Sequence, residues 1–177
     1  SGKLAALEAA LDETPLAGSV GIGHTRWATH GAPTVENAHP HVAGPVAVVH
    51  NGIVENHRAL REELEAAGRR FVSETDTEVV AQLCAHLMSG GMPPTDAAAA
   101  TLARLRGAFA LCFLFEGAPD LIVCARRGSP LAIGFGDGET FVGSDALALA
   151  PLTSRISYLE EGDWAAVTRS GARVFDA

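Results

Sequence analysis

The chain has 177 residues, 47% hydrophobic and 19% charged, enough for one compact domain with a core and too few for two ordinary ones. A formal charge of −8, a pI near 5.3 and scattered basic residues exclude a nucleic-acid surface, which needs clustered Lys and Arg to displace counterions. The longest apolar run, Ala108 to Phe115, has strand length, short of the ~20 residues a membrane helix needs, so no membrane partner is expected.

In chain order, Lys3 to Leu11 has helical spacing and ends at Glu13-Thr14-Pro15. Gly18 to Trp27 reads as a strand, Ala28 to Pro45 as an ordered loop, and Pro45 to His50 as a short strand stopped by an Asn51-Gly52 turn. Asn56 to Ala67 is an amphipathic helix closed by Gly68. A short strand is expected at Arg70 to Ser73, then a helix opened by a Thr75/Glu78 capping box and ended at Gly90-Gly91. Thr95 opens another helix running through Leu105.

From Gly107 the pattern changes to strand-length apolar runs broken by Gly, Pro and Asp, at 108–115, 121–125, 131–135, 140–143, 156–159 and 164–168. A short helix is expected to start at Ser144. Helices come early and hairpins late, which is α+β and not a βαβ repeat. The three cysteines, Cys84, Cys112 and Cys124, show no CxxC spacing and lie in apolar segments. They read as buried free thiols in a reducing compartment, and with no signal-peptide pattern the expected location is cytoplasmic.

Three segments are not generic: GIGHTRWATHG (21–31), VVHNGIVENHRALREEL (48–64) and FVSETDTEVV (71–80). In this order and spacing, with ARRGSPLAIG (125–134), GSDALAL (143–149) and LEEGDWAAVT (159–168), they resemble the class II glutamine amidotransferase domain of glucosamine-6-phosphate synthases. The resemblance covers essentially all of residues 1–177. It implies an N-terminal-nucleophile hydrolase fold, a four-layer αββα sandwich of antiparallel sheets. The implied reaction is hydrolysis of the side-chain amide of L-glutamine. The ammonia would pass to sugar isomerase domains that make glucosamine 6-phosphate from fructose 6-phosphate, in a homo-oligomeric full-length enzyme. It implies neither metal nor cofactor.

Arg26 suits the α-carboxylate of glutamine, because a guanidinium donates two parallel hydrogen bonds to a carboxylate. An isolated arginine at a strand end is ordinary; the surrounding HTRWATHG is what singles it out. Asp76 is the complementary anion for an α-ammonium group, although an Asp in a helix's first turn also meets the macrodipole without any ligand. Asn51 and Gly52 resemble the family's oxyanion hole, an amide N–H and a backbone N–H that meet the charge developing on the amide oxygen. By the same resemblance Thr29 and His30 line the glutamine pocket and Trp27 takes part in gating ammonia.

Six of the seven histidines fall between 24 and 57, and His39-Pro-His41 invites a metal reading. Nothing completes a ligand set, so they are expected to act as hydrogen-bond partners that order loops.

The resemblance implies a cysteine nucleophile exposed as the first residue after methionine removal, with its own α-amine as base. This sequence begins Ser1-Gly-Lys, which aligns inside the family domain, so it reads as N-terminally truncated, with opening strands and a helix absent. Cys84, Cys112 and Cys124 are mid-chain and apolar in context and do not replace that residue. The expectation is a 177-residue polypeptide that does not hydrolyse glutamine. The alternative reading is a non-catalytic glutamine-binding or structural module.

Overall fold

A computed structural model of the chain describes residues 4–25, 32 and 34–176. Its centre is a six-stranded antiparallel sheet in the order β1-β2-β3-β4-β8-β9. These strands are β1 (His41–Ala43), β2 (Val46–Val54), β3 (Gly107–Phe115), β4 (Ile122–Arg127), β8 (Trp164–Thr168) and β9 (Gly171–Phe175). Between β4 and β8 the chain leaves to build a second sheet, ordered β6-β5-β7, from β5 (Ala132–Phe135), β6 (Thr140–Gly143) and β7 (Ile156–Tyr158).

The layering follows from side-chain alternation along β3. Phe109, Leu111, Phe113 and Phe115 join the core under the helices, whereas Ala110 and Cys112 join the core shared with the second sheet. Its neighbour β4 divides in the same way, with Val123 and Ala125 on the helix side and Ile122 and Cys124 on the other. Small residues on the sheet-to-sheet side suit a face-to-face packing of strands.

Three helices cover the first face: α2 (His57–Ala66), α3 (Thr77–Ser89) and α4 (Pro94–Arg104). Leu60 and Leu64, one turn apart, are the buried residues of α2, and Gly68 follows it with φ +84°. Nine of the thirteen residues of α3 are buried, so this helix lies inside the domain. The far face of the second sheet is covered by the one-turn helix α5 (Ala146–Leu149). Leu149 sits where glycines leave room: a Cβ on Gly143 would come within 3.0 Å of its Cδ2, and one on Gly134 within 2.8 Å of Thr153 Cγ2. The remaining helix, α1 (Leu4–Glu13), buries no residue. Among the described residues no helix is long and apolar enough to cross a membrane.

Several sequence expectations need correction. Residues 18–25 form no strand, and Arg26 and Trp27, at its expected end, lie outside the described residues. Residues 70–73 form none either, because the Val72 and Ser73 N–H groups donate to the Glu78 carboxylate and not to a neighbouring strand. Asn51-Gly52 is not a turn: β2 runs through it to Val54, held by nine opposed residue pairs with β3. Two short edge strands, β1 and β9, were not anticipated.

Candidate functional site

Gly52 sits in mid-strand opposite Phe109 with φ +123°, a conformation that side-chain-bearing residues rarely adopt. A Cβ there would lie 2.1 Å from the carbonyl oxygen of Ala108. Glycine is therefore demanded twice, by the backbone angle and by the close approach of β3. The result is an irregular point in the ladder beside exposed Asn51.

His24, half-buried, donates from Nε2 to Oδ1 of Asn51 at 2.7 Å. An amide oxygen only accepts, so this contact fixes the proton on Nε2 of His24. The His24 ring stacks on His39 with centroids 4.3 Å apart and planes 27° from parallel. His39 Nε2 is bonded to the Thr77 hydroxyl at 3.1 Å, and His50 Nδ1 meets the same hydroxyl at 3.0 Å. Thr77 is the first residue of α3. A polar path thus runs from Asn51 through two rings to the start of the central helix, and returns through His50 to β2.

The residues that open α3 are buried and polar. Asp76 is 3% exposed, and its Oδ2 accepts the Val54 N–H at 2.7 Å while making no cap bond to its own helix. Its side chain serves the end of β2. Thr75 Oγ1 is bonded to His41 Nε2 on β1 at 2.9 Å and accepts the Glu78 N–H at 3.4 Å. The forward half of the expected capping box therefore forms. Its return half is redirected, because Glu78 accepts from the N–H of Val72, and from the N–H and hydroxyl of Ser73 at 2.7 Å each. Burial by itself opposes the Glu78 charge, but the bonds from Ser73, Val72 and Gln82 outweigh it and hold the carboxyl below its usual value.

Asn51, Gly52 and Asp76 are thereby gathered along the second half of one strand. From Asn51 to Val54, where Asp76 is tied, is three residues, about 10 Å at a strand's rise. Arg26, Trp27, Thr29 and His30 lie outside the described residues. The sequence did not single out His24 or Thr77 for the site. The one available signal was the position of His24 two residues before Arg26, inside the motif that resembles the family. The histidines expected to order loops do bond to their surroundings, but His41 and His50 do so from strands.

All three thiols are disfavoured as thiolates by burial. The Cys84 thiol is pushed up to about 11 and the Cys112 thiol to about 12, and burial, with Cys112 across the β3–β4 ladder, holds Cys124 well above its usual value. A hollow of about 140 Å³ between Leu102, Phe109, Arg127 and Trp164 contains none of the site groups. Its Arg127 is already bonded to the Leu105 carbonyl and lies over the Phe109 ring.

Comparison with known proteins identifies the family and the fold. Residues 24–151 match the family model described as a glutamine amidotransferase domain. Over 175 residues, 99% of the chain, it is 62% identical to the glutamine–fructose-6-phosphate aminotransferase (isomerizing) of Zymomonas mobilis and 61% identical to that of Bradyrhizobium diazoefficiens. The chain spans 29% of the length of each of these relatives.

Among solved structures, a glutamine phosphoribosylpyrophosphate amidotransferase from B. subtilis superposes with a TM-score of 0.69 and 28% identity, over 86% of this chain and 34% of that one. A glutamine aminotransferase class-II domain protein from Silicibacter pomeroyi, at 21% identity and a TM-score of 0.55 over 81% of this chain and 71% of that one, shares the fold. The two stacked antiparallel sheets and their helices are the α+β sandwich of the N-terminal-nucleophile amidotransferases. The chain belongs to the glutamine amidotransferase domain family.

Proposed function

We propose that the domain carrying these residues hydrolyses the side-chain amide of L-glutamine to glutamate and ammonia. The ammonia serves amination of fructose 6-phosphate to glucosamine 6-phosphate, in partnership with sugar isomerase domains and in the cytoplasm. The observation that carries this is the spacing along β2, with an amide-and-glycine pair at Asn51-Gly52 and a buried carboxylate, Asp76, tied three residues further on. In this reading Asp76 takes the α-ammonium group of glutamine and Arg26 its α-carboxylate. Thr29 and His30 complete the pocket, and Trp27 gates the ammonia.

As a nucleophile adds to the amide carbon, the oxygen becomes an oxyanion, and the Asn51 amide N–H with the Gly52 backbone N–H meets it. Ammonia then leaves, and water releases glutamate from the covalent intermediate. The nucleophile is none of Cys84, Cys112 and Cys124, whose thiols are all raised by burial.

Calorimetric titration of the 177-residue polypeptide with L-glutamine tests the clamp, and a saturable heat is expected. Asp76→Asn keeps an acceptor for the Val54 N–H while removing the charge, so affinity should fall by about 10- to 100-fold with the fold retained. No glutamate release is expected from this polypeptide. Turnover that Arg26→Ala abolishes would overturn that expectation, and the absence of any binding heat would remove the clamp.

A further inference from the structure

The contact between His24 and Asn51 goes beyond the oxyanion pair itself, although it rests on the reading of Asn51 as a donor to the substrate oxygen. An asparagine amide can present either its oxygen or its NH2 edge, and the two orientations have nearly the same shape. Only one is useful here: an NH2 edge stabilises an oxyanion, whereas a carbonyl oxygen in its place repels it. Nothing within Asn51 makes that choice. The residue is exposed on its strand, and solvent bonds either edge equally well.

We propose that His24 is a positioning residue that sets the orientation of the Asn51 amide. It holds Oδ1 through an Nε2–H donor at 2.7 Å, so the NH2 edge is the one turned away from the ring. The ring is itself held. It stacks on His39, and His39 is bonded through Nε2 to the Thr77 hydroxyl, which also meets His50 of β2. With Nε2–H in place, flipping the amide would set two donors against each other, which costs more than the bond it replaces; the Nε2–H tautomer of His24 is therefore part of the device. The helix start that carries Asp76 and the strand that carries Asn51 thus share one set of ring contacts. The amide is preset before substrate arrives, which spares the reaction a reorientation step.

The experiment is steady-state glutaminase kinetics on the complete natural polypeptide that carries residues 1–177, with four variants: Asn51→Ala, His24→Leu, His24→Gln and the double variant His24→Leu/Asn51→Ala. Asn51→Ala should lower kcat by ~10²–10³. His24→Leu should lower kcat by about 10-fold, with KM changed less than about two-fold, the signature of a group that acts through the Asn51 amide. His24→Gln, whose side-chain NH2 can donate to the same oxygen, should recover most of the loss. The double variant should be no more than about two-fold slower than Asn51→Ala, because orienting a missing amide is worth nothing.

A His24→Leu enzyme with unchanged kcat, a loss that Gln does not restore, or additive losses in the double variant would each overturn the positioning role. Asn51→Ala at full activity, or a complete polypeptide without glutaminase turnover, would instead overturn the reading beneath it.

Discussion

Two helices of comparable length and similar apolar content have opposite fates in this molecule. In α3, nine of thirteen residues are buried, with Val79, Val80, Ala81, Leu83 and Cys84 at 0% exposure. In α1, ten residues long, none is buried, and Leu4, Leu7 and Leu11 stand 63%, 55% and 39% exposed. Both carry leucines at helical spacing. An apolar stripe therefore states that a helix can bury a face, not that it does. Burial is conferred by what stands opposite, which for α3 is the phenylalanine and valine face of β2 and β3, flanked by α2 and α4.

The contrast can be tested by equal deletions. Leu83→Ala removes a fully buried side chain from the centre of α3, and chemical denaturation should show a loss of about 2–5 kcal/mol. Glu78→Gln examines the same helix through its polar end and should cost about 2 kcal/mol near neutral pH. The sign of its pH dependence follows from the lowered folded-state value. The charge contributes fully above the unfolded value of 4.5 and the contribution is lost as pH falls through the lower folded value. Unfolding curves taken from pH 7 to pH 3 should therefore converge for parent and variant at the acid end. If they stay parallel, the carboxylate bonds to Val72 and Ser73 are not what stabilises this turn. Leu7→Ala in α1 should change stability by no more than about 0.5 kcal/mol, and a loss comparable to that of Leu83→Ala would erase the distinction between the two helices.

The same dependence on opposite partners explains what could be read from the sequence. The later strands, from β3 to β8, were found within a residue or two because their apolar runs are cut by turn residues, a purely local signal. Asn51-Gly52 misled for the complementary reason. The dipeptide favours a turn locally, but the pairing of Val46–Val54 with Gly107–Phe115 outweighs it and carries the strand past it. The segment at 70–73 has strand-like residues and no strand to pair with, since Glu78 claims its N–H groups. The edge strands β1 and β9 are short, and each pairs on one side alone.

For the site, Asn51, Gly52 and Asp76 stood out by motif. The tie from Asp76 to Val54, 22 positions away, and that from His24 to Asn51, 27 positions away, link distant parts of the chain that no window on the sequence contains.

The polar links between the start of α3 and β2 complement the apolar packing beneath them. Contacts among valines, leucines and phenylalanines are nondirectional and single out no one pair of atoms. The 2.7 Å bond from Val54 to Asp76 and the 3.0 Å bond between Thr77 and His50 each do. Grease holds the helix on; a few short bonds index it, like a detent on a shaft. A mutation that breaks those buried bonds should both lower stability and blur the alignment between carboxylate and amide, so melting and ligand affinity have to be read together to tell a lost contact from a lost register in this domain.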